Sequence, residues 1–80
     1  MARFQMQNLP WDVHKTGLEA VFQHFGIVVS DIKIIRNHPQ GSGRPVAIVT
    51  MDAAETGKRA MYRMIGVNYL GRDIDLHEVP

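Results

Sequence analysis

Eighty residues suffice for one domain and one modest hydrophobic core. Hydrophobic residues are 45% of the chain and charged residues 21%, the balance of a globular fold and not of a disordered one. A net charge of +1 excludes a protein that holds nucleic acid by charge alone, and the absence of cysteine excludes a disulfide scaffold and a cysteine-type zinc site.

Residues 3–8 alternate. Phe4 and Met6 share one side and Gln5 and Gln7 the other, the pattern of a half-buried strand. Pro10 ends it, having no N–H for a ladder. Residues 14–24 predict a helix, with Leu18, Val21, Phe22 and Phe25 at i, i+3, i+4 and i+7 on one apolar face. Gly17 costs that helix ~1 kcal/mol relative to Ala, and Gly26 is a suitable stop. Residues 28–36 are rich in β-branched side chains and predict a strand, with Ile32 and Ile34 towards the core and Lys33 and Ile35 opposite. Residues 37–43 are turn formers and predict a mobile hairpin loop. Residues 44–51 return as a strand. Ala47, Val49 and Met51 take one face; Val46, Ile48 and Thr50 take the other. Asp52 and Glu55 have the spacing of a capping box, opening a helix to about residue 64 with Gly57, Ala60, Met61 and Met64 as its inner stripe. Residues 72–79 are the last strand, with Ile74 and Leu76 inward and Asp73, Asp75 and His77 outward. Phe4, Phe22, Phe25, Met61 and Met64 are assigned to the core.

The order β-α-β-β-α-β predicts an α+β, ferredoxin-like sandwich over residues 3–79: a four-stranded antiparallel sheet with two helices on one face. The other face stays open, and function is expected there.

The segment Phe4-Gln5-Met6-Gln7-Asn8-Leu9-Pro10 and the segment Arg44-Pro45-Val46-Ala47-Ile48-Val49-Thr50-Met51 fall where RNA recognition motif (RRM) domains carry their hexamer and octamer motifs. Leu18, Phe22, Phe25-Gly26, Ala60 and Leu70-Gly71-Arg72 match the family's core and turn positions. The chain therefore resembles an RRM over nearly all of residues 3–79. The resemblance implies binding of single-stranded RNA on the open face. The family stacks bases on three aromatic residues there. The matching positions here are Gln5, Val46 and Ile48. Each lost stack removes ~1–3 kcal/mol. Gln5, Gln7 and Thr50 are left for hydrogen bonding, and Val46, Ile48 and Ile35 form an aliphatic patch.

Three readings of that face stand open: weak RNA binding by polar and apolar contacts, binding of a protein partner or a second copy, or RNA binding through loops. The third has a parallel. Leu9-Pro10-Trp11 and the ring-free sheet resemble the quasi-RRMs of the heterogeneous nuclear ribonucleoprotein F/H family, which implies guanine-rich RNA; Asp73 and Ile74 depart from the Tyr usual in that family. Trp11 is the only tryptophan, and it is either a lid on the core or a stacking platform.

The candidate RNA-binding set is Gln5, Gln7, Trp11, Lys33, Arg36, Arg44, Val46, Ile48 and His77. Lys33, Arg36 and Arg44 are the phosphate-neutralising candidates. His77 and His38 could meet bases. Lys58, Arg59 and Arg63, with Tyr62 among them, form a possible second basic surface or a solvated helix face.

The β-α-β-β-α-β plan also hosts acylphosphatases. Residues 9–13 here lack the glycine and the arginine of a phosphate-cradling loop, and Asp12 would repel phosphate, so no catalytic site is expected. The four histidines share no ligand spacing, so neither a metal nor a cofactor is expected. No apolar run nears the ~20 residues of a membrane span, and residues 1–8 are too polar for a secretory signal. The setting is expected to be intracellular, with nothing to choose among nucleus, cytoplasm and mitochondrion.

Overall fold

The computed structural model describes residues 1–37, 43–52 and 54–80. Its elements are β1 (Ala2–Gln7), α1 (Lys15–His24), β2 (Asp31–Ile35), β3 (Val46–Met51), α2 (Glu55–Tyr62), β4 (Asn68–Tyr69), β5 (Arg72–Asp73) and β6 (Asp75–Val79). Strands β2, β3, β1 and β6 form one antiparallel sheet in that order. This is the expected ferredoxin-like plan. His38 and most of the expected hairpin loop lie outside the described residues.

The alternation of the strands sorts their side chains between two faces. Phe4, Met6, Ala47, Val49, Met51, Ile32 and Leu76 join Leu18, Phe22, Met61, Met64 and Ile74 in one buried cluster. Full burial of a large apolar side chain contributes about 1.5–3 kcal/mol, so this cluster holds the helices to the sheet. Phe4 lies at its centre, edge-on to Tyr62 at 5.5 Å between ring centroids.

Four local expectations are corrected. Phe25 is not core: it is 45% exposed and sits edge-on to His24. The i+7 position falls one residue past the end of α1, where the backbone has left the helix (φ −89°, ψ 3°). The second strand begins at Asp31, not at Val28, which is exposed; β-branching alone does not supply a neighbour to pair with. The capping box does not form. α2 starts after Ala54, and the Asp52 carboxylate accepts the Ala54 N–H at 3.0 Å in a turn that leads into the helix.

The last strand is broken. The Ile74 N–H donates to the Val67 carbonyl and the Gly66 N–H to the Ile74 carbonyl, both at 2.8 Å. These bonds divert Ile74 from the main ladder and leave β5 to pair with β4 in a small ribbon. Its two-residue turn has Leu70 at φ 51° and Gly71 at φ 87°, the paired positive angles of a tight hairpin.

Gly17 has a packing neighbour that opposes the helix gain of a larger residue. A Cβ there would collide with the Tyr69 hydroxyl and lie 3.3 Å from the His14 ring. Gly17→Ala is expected to lower stability by about 1 kcal/mol despite Ala's better helix propensity. Urea unfolding measures it, and adding Tyr69→Phe should restore part of the loss. A more stable Gly17→Ala protein would mean that the phenol swings away freely.

Candidate nucleic-acid interface

The register lays out the open face in rows. Lys33, Ile48, Gln5 and His77 are successive partners across β2, β3, β1 and β6 and form the middle row. Asp31, Thr50, Arg3 and Val79 form the row at one end. At the other end Ile35 pairs with Val46, and Gln7 with Asp75. Six of the nine candidate residues therefore share this face. Asp75 and Arg3 lie on it as well, and only their outward phase in the alternation could have flagged them.

The surface is less open than its side-chain list suggests. Val46 is 0% exposed and Gln5 is 5% exposed. Val46 is a short side chain between neighbouring strands that carry the longer Ile35 and Gln7, and it lies apart from the core cluster. Gln5 has an internal partner. The expected apolar patch is thus reduced to Ile35 and Ile48, both partly exposed. Gln7 is also partly exposed, and Lys33 and His77 stand out towards solvent. Among the described residues the Lys33 side chain has no hydrogen-bond or ion-pair partner.

Trp11 belongs to the loop that leaves the sheet after β1. Asn8 turns the chain at φ 60°, a left-handed angle that Asn tolerates better than most residues. Its amide donates to the Asp73 carbonyl at 2.7 Å, and Arg72 donates from Nε to the Asn8 carbonyl at 3.2 Å and from Nη2 to Asn8 Oδ1. The small ribbon thus fixes the exit from β1. Leu9, Pro10 and Val13 are buried, and the Val13 N–H closes a turn onto the Pro10 carbonyl at 3.1 Å. Trp11, at the tip, is 59% exposed. It is no lid on the core.

Two arginines from the ends of the β2–β3 hairpin reach this loop. The Arg44 guanidinium lies 5.0 Å from the Trp11 ring centroid, a cation–π contact. Arg36 donates from Nη1 to the Trp11 carbonyl at 2.9 Å and from Nη2 to the Val13 carbonyl at 2.6 Å. No residue pattern marks a side chain that bonds backbone 23 and 25 positions away, so these contacts were not legible beforehand.

The second basic surface is partly neutralised. Lys58 Nζ sits 3.0 Å from a Glu78 carboxylate oxygen, and the Tyr62 hydroxyl donates to the other oxygen at 3.3 Å. Arg59 approaches Glu55 at 3.8 Å on an exposed helix face, a weak pair. Only Arg63 of the three has no side-chain partner among the described residues.

The hydrogen bond to Glu78, and then its negative charge, hold the Lys58 pKa above the ordinary lysine value. A raised folded-state pKa makes the pair's stabilisation complete below the unfolded lysine value of about 10.4, and it is lost as pH climbs through the folded value. Wild-type and Lys58→Met stabilities should therefore differ by a constant amount from pH 6 to about 10 and converge above it. Thermal unfolding across that range checks this, and convergence already at pH 8 would contradict it. Among the described residues no three His, Asp or Glu side chains are grouped as a metal site, and no helix is long and apolar enough to cross a membrane.

The chain is a two-layer α/β sandwich with one uncovered sheet face, edged by an exposed indole and cations. The family model described as RNA recognition motif matches residues 5–75, and the chain belongs to that family of RNA-binding domains. It is 35% identical over 72 residues to the "29 kDa ribonucleoprotein A, chloroplastic" of Nicotiana sylvestris, covering 90% of this chain and 26% of that protein. The chain thus spans about a quarter of the length of that relative. In fold it is similar to the second RRM domain of yeast poly(U)-binding protein, with a TM-score of 0.75, 16% identity, and coverage of 100% and 95% of the two chains. It is also similar to the Sex-lethal RNA recognition domains 1 and 2 from Drosophila melanogaster, with a TM-score of 0.71, 20% identity, and coverage of 95% and 48%.

Proposed function

We propose that this domain binds single-stranded RNA without catalysis, through one base stacked on Trp11 and neighbouring nucleotides laid over Ile35, Ile48, Gln7 and His77. Gln5 and Val46 form the floor beneath them. Lys33 and Arg44 neutralise phosphates along the way. The observation that carries this reading is the exposed Trp11 ring at the same end of the sheet as Ile35 and Gln7, with Arg44 beside it. The ribonucleoprotein relative supports it.

Affinity is expected in the micromolar range with modest sequence preference, because one aromatic stack replaces the three that the family uses on its sheet. Two phosphate contacts predict a slope of log K against log salt of about −1.4. Titrating labelled homopolymers and a guanine-rich oligomer at several salt concentrations, while mapping amide shifts, tests this. Shifts at Trp11, Lys33, Ile48 and His77 with that slope support the reading. No shift with any RNA at low salt would defeat it. Shifts confined to Arg63 and its neighbours would move the site to the second helix. A salt-independent partner bound on Ile35 and Ile48 would instead favour a protein-interaction role.

A further inference from the structure

We propose that Arg36 is a positioning residue for the RNA platform, holding the Trp11 loop from across the hairpin instead of contacting phosphate. This rests on the reading of Trp11 as a stacking surface. Arg36 follows the last residue of β2 and sends both terminal nitrogens to backbone carbonyls of the loop after β1, 2.9 Å to Trp11 and 2.6 Å to Val13. The guanidinium is a planar fork whose donors lie at fixed angles, so two bonds define the orientation of the turn that carries the indole. A lysine ammonium is a point charge on a flexible stem and cannot reproduce that geometry.

The ring itself is held from the other end of the same hairpin. Arg44 lies over it, and a Cβ added to Gly43 would sit 3.6 Å from the Trp11 Cη2 atom. Gly43 has φ 87°, a conformation that a larger residue would adopt only with strain. Backbone anchoring by Arg36 and ring contact by Arg44 leave the remaining surface of the indole presented before RNA arrives. Binding then avoids the cost of ordering a loose aromatic side chain. Two of its five N–H donors are committed to the loop, and in this role Arg36 makes no direct phosphate contact.

The test uses the intact domain and its one tryptophan, so fluorescence reports Trp11 alone. Arg36→Ala and Arg36→Lys are compared with wild type for acrylamide quenching of the free protein, for affinity to a labelled single-stranded RNA, and for the salt slope. Both are also made in a Trp11→Ala background. Arg36→Gln is the milder variant should Arg36→Ala unfold. Release of the loop is expected to raise quenching and weaken RNA binding about 3- to 10-fold. The salt slope should stay unchanged, Lys should fail to rescue, and the loss should vanish once Trp11 is Ala. A slope shallower by about 0.7 would make Arg36 a phosphate contact and overturn the proposal. So would a loss that persists without Trp11, or quenching that does not change. Unchanged affinity in Trp11→Ala alone would overturn the platform reading beneath it, and the quenching data would still report whether Arg36 holds the loop.

Discussion

Phe4→Ala is expected to lower the stability of the domain by about 3–5 kcal/mol, the range for emptying a buried phenylalanine site. An 80-residue domain typically has about 4–12 kcal/mol to lose, so this one substitution removes a large share of that reserve. Phe4 is fully buried on central strand β1, opposite Val49 on β3 and Glu78 on β6. Its ring meets Tyr62 edge-on, and Tyr62 in turn donates to Glu78. Removing it opens a cavity under α2 and leaves Tyr62 without the surface it packs on. The lattice of strands around it cannot collapse into the gap, because β1 is hydrogen-bonded on both sides. Urea unfolding by far-UV circular dichroism measures the loss. A cost below about 1 kcal/mol would mean that the second helix does not rest on that face as described.

The face of each strand was legible because alternation is a local property. Phe4 and Met6 against Gln5 and Gln7, and Ala47 and Val49 against Ile48 and Thr50, sort correctly with no knowledge of partners. Element ends were less legible, for a physical reason. Phe25 continues the apolar spacing of α1, but spacing does not say where the backbone hydrogen bonds stop. Ile74 looks like an inward strand residue, and it is buried; its break in the ladder comes from bonds to residues 66 and 67 that no pattern around it announces. The site followed the same division. Alternation assigned the candidates to the open face, whereas the rows across strands needed the pairing register. Access to those rows was not legible either: Val46 and Gln5 have the right phase for an exposed face and are closed off by neighbours on adjacent strands. Arg36 carried charge that invited a phosphate reading, and it spends donors on backbone 23 and 25 residues away. Asn8 before Leu9-Pro10 was a usable signal for a left-handed exit, since Asn is among the few residues that accept that angle.

Ile48→Phe is expected to tighten RNA binding by roughly fivefold or more, since one base stack contributes ~1–3 kcal/mol. Ile48 is the position to change because it is central in the middle row, between Lys33 and Gln5, and still partly exposed. Val46 and Gln5 offer no comparable room; a ring at either would have to displace packed neighbours and cost stability first. A phenyl ring adds no charge, so the salt slope should remain that of the wild type while the affinity rises at every salt concentration. The same ring should leave the urea midpoint nearly unchanged, because it rests on the solvent side of the sheet. Fluorescence anisotropy with a short labelled oligomer, repeated at several salt concentrations, separates these effects. If the affinity does not move, bases never reach the middle of the sheet. The RNA path would then run along Trp11 and the loops, and the absence of sheet aromatics would reflect a different route for the strand rather than a weaker version of the usual one.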